Sequence, residues 1–315
     1  MFNTFYQIVR TARPRQWLKN LSIFAAIIFS GRFFDSSSLL DATHAFISFC
    51  LLASGVYFIN DIVDVEKDKS HPIKSNRPIA SGKLSVGVAK LMAFLLVSTS
   101  LIYSITIVGT YFTYMLIIYL IIQFSYSFYF RNIIILDSLI VASGFILRVF
   151  AGGVAAETSV SSWLILTTIG ISLLLAFGKR RSEKTILTKF LGSDEKSNTR
   201  KTLRHYPDAL LDSMISMSAA YALITYSLFT FQDSPQITSD KWGDFLPSIL
   251  SSPKWMMLTI PLVIYGVARY LYVIYEKGEG ESPERALISD KPLLLTVTIW
   301  GALVMVIVYL LPQIS

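Results

Sequence analysis

Asn60-Asp61-Ile62-Val63-Asp64-Val65-Glu66-Lys67-Asp68 closes a long apolar run and puts four carboxylates within eight residues. A bilayer-facing segment does not carry that much charge cheaply. Carboxylates at this spacing commonly hold a divalent cation, and Mg²⁺ typically uses one or two of them together with substrate phosphates. On a helix Asp61, Asp64 and Asp68 fall at i, i+3 and i+7, on one face, with Asn60 as a neutral oxygen ligand. The competing reading is a solvated helix end ion-paired to Lys67 and Lys69. A basic stretch follows at once: Lys67, Lys69, His71, Lys74, Arg77 and Lys83. Acid followed by base reads as metal followed by phosphate, presented at a membrane surface.

The rest of the chain agrees with a membrane setting. Of its 315 residues 53% are hydrophobic and only 16% charged, with a mean hydropathy of +0.55. A soluble domain carries about a quarter charged residues. The composition therefore predicts a polytopic all-α membrane protein, residues 1–315 forming a single membrane domain. The single cysteine, Cys50, lies in an apolar run and excludes a disulfide framework or a cysteine-based metal site. The first twenty residues are amphipathic and basic. They lack a signal-peptide apolar core and cleavage site, so they are expected to be retained.

Segments long enough to cross a bilayer, about 20 residues each, can be placed nine times: 18–34, 39–60, 86–107, 111–130, 133–153, 160–178, 210–231, 255–275 and 291–312. The intervening loops alternate in charge. Nearly all Lys and Arg fall on the side holding 1–17, 61–85, 131–132, 179–209 and 276–290, and only Arg32, Lys241 and Lys254 on the other. Positive residues stay cytoplasmic, so the N-terminus is expected inside and the C-terminus outside. The two longest inside loops, about 61–85 and 179–209, follow spans 2 and 6. That separation suggests two pseudo-equivalent halves around one cytoplasmic cavity.

Further constellations gather on the inside. Two prolines and a glycine make the segment from His71 to Lys83 an ordered loop, where Lys74 and Arg77 could clamp a phosphate or simply meet lipid headgroups. Gly178-Lys179-Arg180-Arg181-Ser182-Glu183-Lys184 mirrors that loop in position but is mostly basic, which suits a polyanion better than a bare metal. Asp208 and Asp212 open span 7, as site residues or as helix-dipole partners. Asp137 and Arg148 are three helical turns apart within span 5. A charge at such depth faces a cavity or a partner, so Arg148 reaches a substrate phosphate or pins the bundle through a carboxylate. Arg13-Pro14-Arg15-Gln16-Trp17-Leu18-Lys19-Asn20 leads into span 1, with Trp17 as interfacial anchor and Lys19 at the cytoplasmic mouth. His44 and His205 show no ligand spacing, and the Tyr and Phe stripes read as packing.

Together these residues resemble the UbiA superfamily of intramembrane prenyltransferases, nine-helix bundles with polar motifs on the cytoplasmic loops after helices 2 and 6. Asn60-Asp61-x-x-Asp64-x-x-x-Asp68 is similar to the first motif. The usual aspartate-rich second motif is replaced by Lys179-Arg180-Arg181-Ser182-Glu183, which resembles the superfamily's decaprenyl-phosphate phosphoribosyltransferase branch. So do the Arg13–Asn20 stretch, the His71–Gly82 loop, Tyr126-Ser127 with Arg131, Leu136-Asp137, the Gly144–Gly153 segment around Arg148, and Arg269-Tyr270 with Pro283-Glu284. Where the branch commonly has Lys, this chain has Arg131, which keeps the charge and changes the donor geometry.

The resemblance implies transfer of 5-phosphoribose from phosphoribosyl pyrophosphate (PRPP) to a polyprenyl phosphate, with release of pyrophosphate. It implies Mg²⁺, with Mn²⁺ as a substitute, on Asn60, Asp61, Asp64 and Asp68, the catalytic weight falling on Asp61 and Asp64. Gln16, Lys19, Lys74, Arg77, Tyr126, Arg131, Asp137, Arg148, Lys179, Arg180, Glu183, Tyr206 and Asp212 are the implied substrate contacts. An acceptor phosphate is ionised near neutral pH, so no general base is needed. The implied partners are the two substrates and the lipid bilayer of the inner membrane, with a homo-oligomer compatible and nucleic acid not. Two other functions remain open on the residues alone: prenyl transfer from a prenyl diphosphate to an aromatic acceptor, and membrane transport. The first should carry aspartates at Lys179–Arg181, and the second a charge cluster on the outside.

Overall fold

The computed structural model describes residues 2–70, 74–191, 206–234, 254–277 and 283–314. Among these every regular element is helical. Eight helices are long and apolar enough to cross a membrane: Ser36–Val63, Val86–Val108, Thr110–Phe128, Leu136–Ala155, Ser162–Thr185, Asp208–Gln232, Trp255–Lys277 and Lys291–Leu310. They coincide with the last eight of the nine expected spans. The chain divides into two compact units, one of Met1–Ile27, Arg32–Ser159 and Thr188–Tyr206, the other of Ile28–Gly31, Val160–Leu187 and Pro207–Ser315.

The first unit begins with the amphipathic helix α1 (Phe2–Ala12). Arg13 then turns the chain in the left-handed region (φ 54°), and Pro14 opens an eleven-residue 3₁₀ segment, Pro14–Phe24, that runs into α2 (Ala25–Phe29). This is where the first span was expected at 18–34, as one continuous helix. A 3₁₀ run beyond three or four residues is uncommon, and its neighbours explain it. The buried Asn20 side chain is held between Cys50 Sγ and Arg148 Nε, at 3.2 and 2.7 Å. The Ile23 carbonyl comes so close to Gly152 that a Cβ there would lie 1.9 Å away. Because a 3₁₀ turn rises about 2.0 Å per residue, the segment and α2 together reach about 30 Å, comparable to the hydrocarbon thickness.

Helix α3 (Ser36–Val63) is the centre of this unit, capped by the Asp35 carboxylate, which accepts from the Ser38 N–H. It is apolar all round, as a helix with neighbours on most sides should be. It packs on α5 (Val86–Tyr103), α6 (Thr110–Phe128), α7 (Leu136–Ala155) and the 3₁₀ segment. Small residues permit the approach: at Gly55 an added Cβ would lie 2.7 Å from Val97 Cγ2. Ile23, Phe49, Leu52, Phe112, Leu116, Tyr119 and Ala151 form the core. The helix does not carry the acidic motif through, since it ends at Val63. Asp64 breaks it (φ −93°, ψ 5°), and α4 (Val65–Lys69) starts anew.

In the second unit α8 (Ser162–Leu191) lies against α9 (Asp208–Gln232), with Gly170 so close to Ala222 that a Cβ would meet backbone at 2.7 Å. Beyond them come α10 (Ile260–Tyr272) with a π-helical turn Val273–Lys277, α11 (Pro283–Ser289) and α12 (Lys291–Met305). Leu164, Tyr226, Phe229, Met256, Val304 and Ile307 are its core. Because α8 runs to Leu191, the basic motif Lys179–Lys184 sits on a helix and not in the loop expected from 179 onward.

Candidate functional site

The acidic motif is met by three arginines from three distant segments. Asp61, buried at 2% exposure, accepts from Arg13 Nη2 at 2.5 Å and from Arg77 Nη1 at 3.0 Å. The same Arg77 nitrogen donates to Asp68 Oδ2 at 2.6 Å. Arg131 Nη1 donates to both oxygens of Asp64 at 2.8 Å. Asn60 Oδ1 accepts from Ser127 at 2.6 Å. The Arg13 guanidinium also lies over the Tyr57 ring, 4.9 Å from its centroid. Burial pushes the Asp68 carboxyl above the usual carboxylate range, with Arg77 pulling it back and Asp61 adding to the rise.

Asp61, Asp64 and Asp68 do not share one helix face, and among the described residues no group of three or more His, Cys, Asp or Glu is placed to hold an ion. The reason is electrostatic: buried carboxylates need compensation, and the guanidinium groups supply it. Asp61 and Asp68 nonetheless converge on a single cationic point, the Arg77 nitrogen. Two hard carboxylates converging on one point fit the protein's share of an Mg²⁺ site, the remainder coming from phosphate and water. Arg77, expected at a phosphate, here joins the acids. Lys74 is half-buried on the short 3₁₀ turn Lys74–Asn76, and His71 and Pro72 lie outside the described residues.

Deeper in the first unit Arg148, 5% exposed, donates to Asn20, to the Gly144 carbonyl at 2.5 Å and to the Tyr119 hydroxyl at 3.0 Å. It has no ion pair with Asp137, so the carboxylate partner considered from sequence is absent among the described residues; the neutral oxygens and the faces of Tyr119 and Phe145 do that work. Asp137 accepts from Tyr206 at 2.5 Å, and the Tyr206 hydroxyl accepts from the Ile135 N–H at 2.6 Å. Burial, with the bond to Asp137, pushes the Tyr206 phenol up to about 12. Lys19 Nζ donates to Gln16 Oε1, and Tyr126 is half-buried on α6. Trp17 donates to Ser54 at 3.1 Å, so it serves a packing contact as well as an interface.

In the second unit Arg180 is 1% exposed and donates to Glu183 at 2.5 Å, while Lys179 lies 3.9 Å from the same carboxylate. Arg181 pairs with Asp212 at 2.9 Å and Asp208 at 3.4 Å, and Lys184 pairs with Asp208 at 2.9 Å. Asp208 and Asp212 therefore answer the basic motif, and neither caps α9. Tyr275, on the π-helical turn, donates to Asp212 at 2.9 Å, with its ring 5.8 Å from the Arg181 guanidinium.

Sequence reasoning missed Arg13 as a partner of Asp61, Tyr119 as a partner of Arg148, and Tyr275. Arg13 stood within a recognised motif, and its charge beside Pro14 was the available signal. For Tyr119 and Tyr275 no local pattern marks the partner. A fully buried Asp290, paired with Arg269 and Lys277, also went unsuspected at the start of the last span.

Residues 21–180 match the UbiA prenyltransferase family. The chain belongs to that family. A decaprenyl-phosphate phosphoribosyltransferase from Corynebacterium glutamicum is 32% identical over 309 residues, 97% of this chain and 88% of that protein. A protein of the same name from Mycobacterium tuberculosis is 29% identical over 94% of this chain and 92% of its own length. Among solved structures, a UbiA homolog from Archaeoglobus fulgidus bound to GPP and Mg²⁺ superposes with a TM-score of 0.68 at 19% identity, covering 96% of this chain and 99% of that one. At that identity the likeness shows the fold.

Proposed function

We propose that this protein is a pentosyltransferase that moves 5-phosphoribose from PRPP to a polyprenyl phosphate of decaprenyl type, releasing pyrophosphate. The observation that carries this is the full-length similarity, near 30% identity, to relatives named decaprenyl-phosphate phosphoribosyltransferase. The basic Lys179–Arg181 run supports it, because a prenyl diphosphate donor calls for aspartates there. The active site faces the cytoplasm at the inner membrane, supported by the one-sided distribution of Lys and Arg.

Asp61 and Asp68, with Asp64 and Asn60 beside them, would hold Mg²⁺ or Mn²⁺, which supplies neutralisation of the departing pyrophosphate. Arg77, shared between the two carboxylates, would offer its guanidinium to the phosphate oxygens. Arg13 and Arg131 would do the same. Lys179 and Arg180 take the 5-phosphate. The acceptor phosphate oxygen forms the new bond to the ribose anomeric carbon as the carbon–pyrophosphate bond breaks, with inversion. No proton has to be removed, in keeping with a reading that assigns no histidine or cysteine to catalysis.

The test uses purified protein in lipid nanodiscs with Mg²⁺, PRPP labelled in the ribose, and a polyprenyl phosphate. Label should enter the lipid fraction, with pyrophosphate released in equal amount. Absence of lipid label, together with transfer from a prenyl diphosphate to an aromatic acid, would establish the alternative instead.

A further inference from the structure

We propose that the outer face of α3 and α5 holds an anionic phospholipid of the cytoplasmic leaflet, its phosphate at Lys90 and one acyl chain in the adjoining groove. This site is separate from the transferase chemistry and does not rest on that reading. The two helices approach closely where Gly55 meets Val97 and Ala93. From that crossing toward the ends that carry Val63 and Lys90 they leave a groove of about 460 Å³. Ile59, Ile62, Val63, Ala93, Phe94 and Val97 form most of its walls. At about 100° per residue, Ile59, Ile62 and Val63 face away from Asn60, Asp61 and Asp64. The groove is therefore not the carboxylate site.

The charge at its end selects the occupant. Among the described residues Lys90 is the only charged one lining the groove. It is exposed, and among the described residues it makes no hydrogen bond or ion pair. It stands one turn into α5, just after Ser85 caps that helix at the end of the basic 61–85 loop. A lysine at the edge of the hydrocarbon, with an apolar trough running inward from it, matches a lipid with a phosphate at one end and a chain at the other. A neutral lipid fills the trough equally well but leaves the ammonium group uncompensated. One lysine near an anionic headgroup favours the anionic lipid about fivefold.

Native mass spectrometry of the purified full chain, released from detergent in the presence of phosphatidylglycerol and phosphatidylcholine with identical acyl chains, tests this. The protein should retain phosphatidylglycerol about fivefold over phosphatidylcholine. Lys90→Gln should abolish that preference and Lys90→Arg restore it, while Ser98→Trp, which fills the trough, should lower retention of both lipids. An unchanged preference in Lys90→Gln overturns the proposal, as does unchanged retention in Ser98→Trp. Displacement of phosphatidylglycerol by equimolar polyprenyl phosphate, abolished by Ser98→Trp, would overturn it in favour of a substrate groove.

Discussion

The two charged clusters are built differently. In the first unit Asp61, Asp64 and Asp68 meet arginines 48, 67 and 9 residues away, so one motif draws in three other segments. In the second unit Arg180 and Lys179 pair with Glu183 three and four residues along the same helix, and Arg181 and Lys184 reach only to the start of the next. Burial separates the acids that reach across to other segments, although Arg180 of the second cluster is itself 1% exposed. Asp61 is 2% exposed, whereas Asp208 on the other cluster is 58% exposed. A cluster held by distant segments is rigid and costly to break; a local, half-wet cluster yields more readily and contributes less to stability.

Asp61→Ala should show the largest effect. It removes the shared partner of Arg13 and Arg77, so ribosyl transfer should fall below detection. Thermal unfolding in detergent should also report a loss of about 2 kcal/mol, for the charge-assisted hydrogen bonds removed, Arg13 and Arg77 being left partly open to water. Asp64→Ala separates chemistry from stability. Asp64 is more exposed than Asp61, at 22% against 2%, so transfer should drop on the order of a hundredfold with a smaller change in melting. Equal melting losses in the two variants would break the contrast within the cluster.

Next comes a pair of glycines. Gly152→Ala drives a Cβ to 1.9 Å from the Ile23 carbonyl, a backbone atom that cannot yield without moving the 3₁₀ segment. Gly178→Ala meets Ile274 Cδ1 at 2.6 Å and the Tyr270 hydroxyl at 3.1 Å, both ends of side chains. Overpacking against a fixed wall costs about 3 kcal/mol and against movable ends about 1 kcal/mol, so Gly152→Ala should melt well below Gly178→Ala. A reversed order would mean that the 3₁₀ segment is the softer neighbour.

These differences explain how much could be read in advance. Eight spans were legible because a bilayer demands about twenty apolar residues in sequence, and that demand is local. The segment after Pro14 was not, because Lys19, Asn20 and Ser22 dilute its apolar run and its 3₁₀ form depends on Gly152 and Arg148, far along the chain. Asp61, Asp64 and Asp68 stood out as a group, and Arg77 and Arg131 as substrate contacts, but their pairing did not, since nothing in the spacing links residue 13 to residue 61 or residue 131 to residue 64. The Arg181–Asp212 side was more accessible because both ends lie in recognised motifs. Tyr275 was hidden by resembling every other interfacial tyrosine.

A smaller effect belongs to the local cluster. Asp212→Asn weakens the grip on Arg181 while Asp208 and Tyr275 remain. The KM for PRPP should rise about three- to tenfold, in proportion to about 1 kcal/mol for a partly exposed pair, with kcat and melting temperature nearly unchanged. Steady-state kinetics on Asp212→Asn and Asp208→Asn together would show whether the two acids act as one. A fall in kcat as large as that of Asp64→Ala would erase the distinction between the clusters.

Asp290 is where the second unit adopts the first unit's way of building, and it gives the finest test. Its fully buried carboxylate caps α12 and accepts from Arg269 at 2.9 and 3.0 Å and Lys277 at 2.8 Å. The Arg269 hydrogen bonds, with Lys277 and the Leu293 N–H, hold its carboxyl well below the usual range. An unfolded aspartate titrates near 3.9. Between that value and the lower folded one the unfolded chain binds more protons, so this contribution to stability falls as pH drops. It is complete above about pH 5. Asp290→Asn cannot titrate, so its melting deficit against the unmodified protein should be constant from pH 8 to 5 and shrink below about pH 4. Matched melting curves in the same detergent isolate Asp290, because the other carboxylates cancel in the difference. A deficit that stays constant down to pH 3 would mean that the pair contributes through packing and the helix cap alone, leaving buried carboxylates held by ion pairs a property of the first unit.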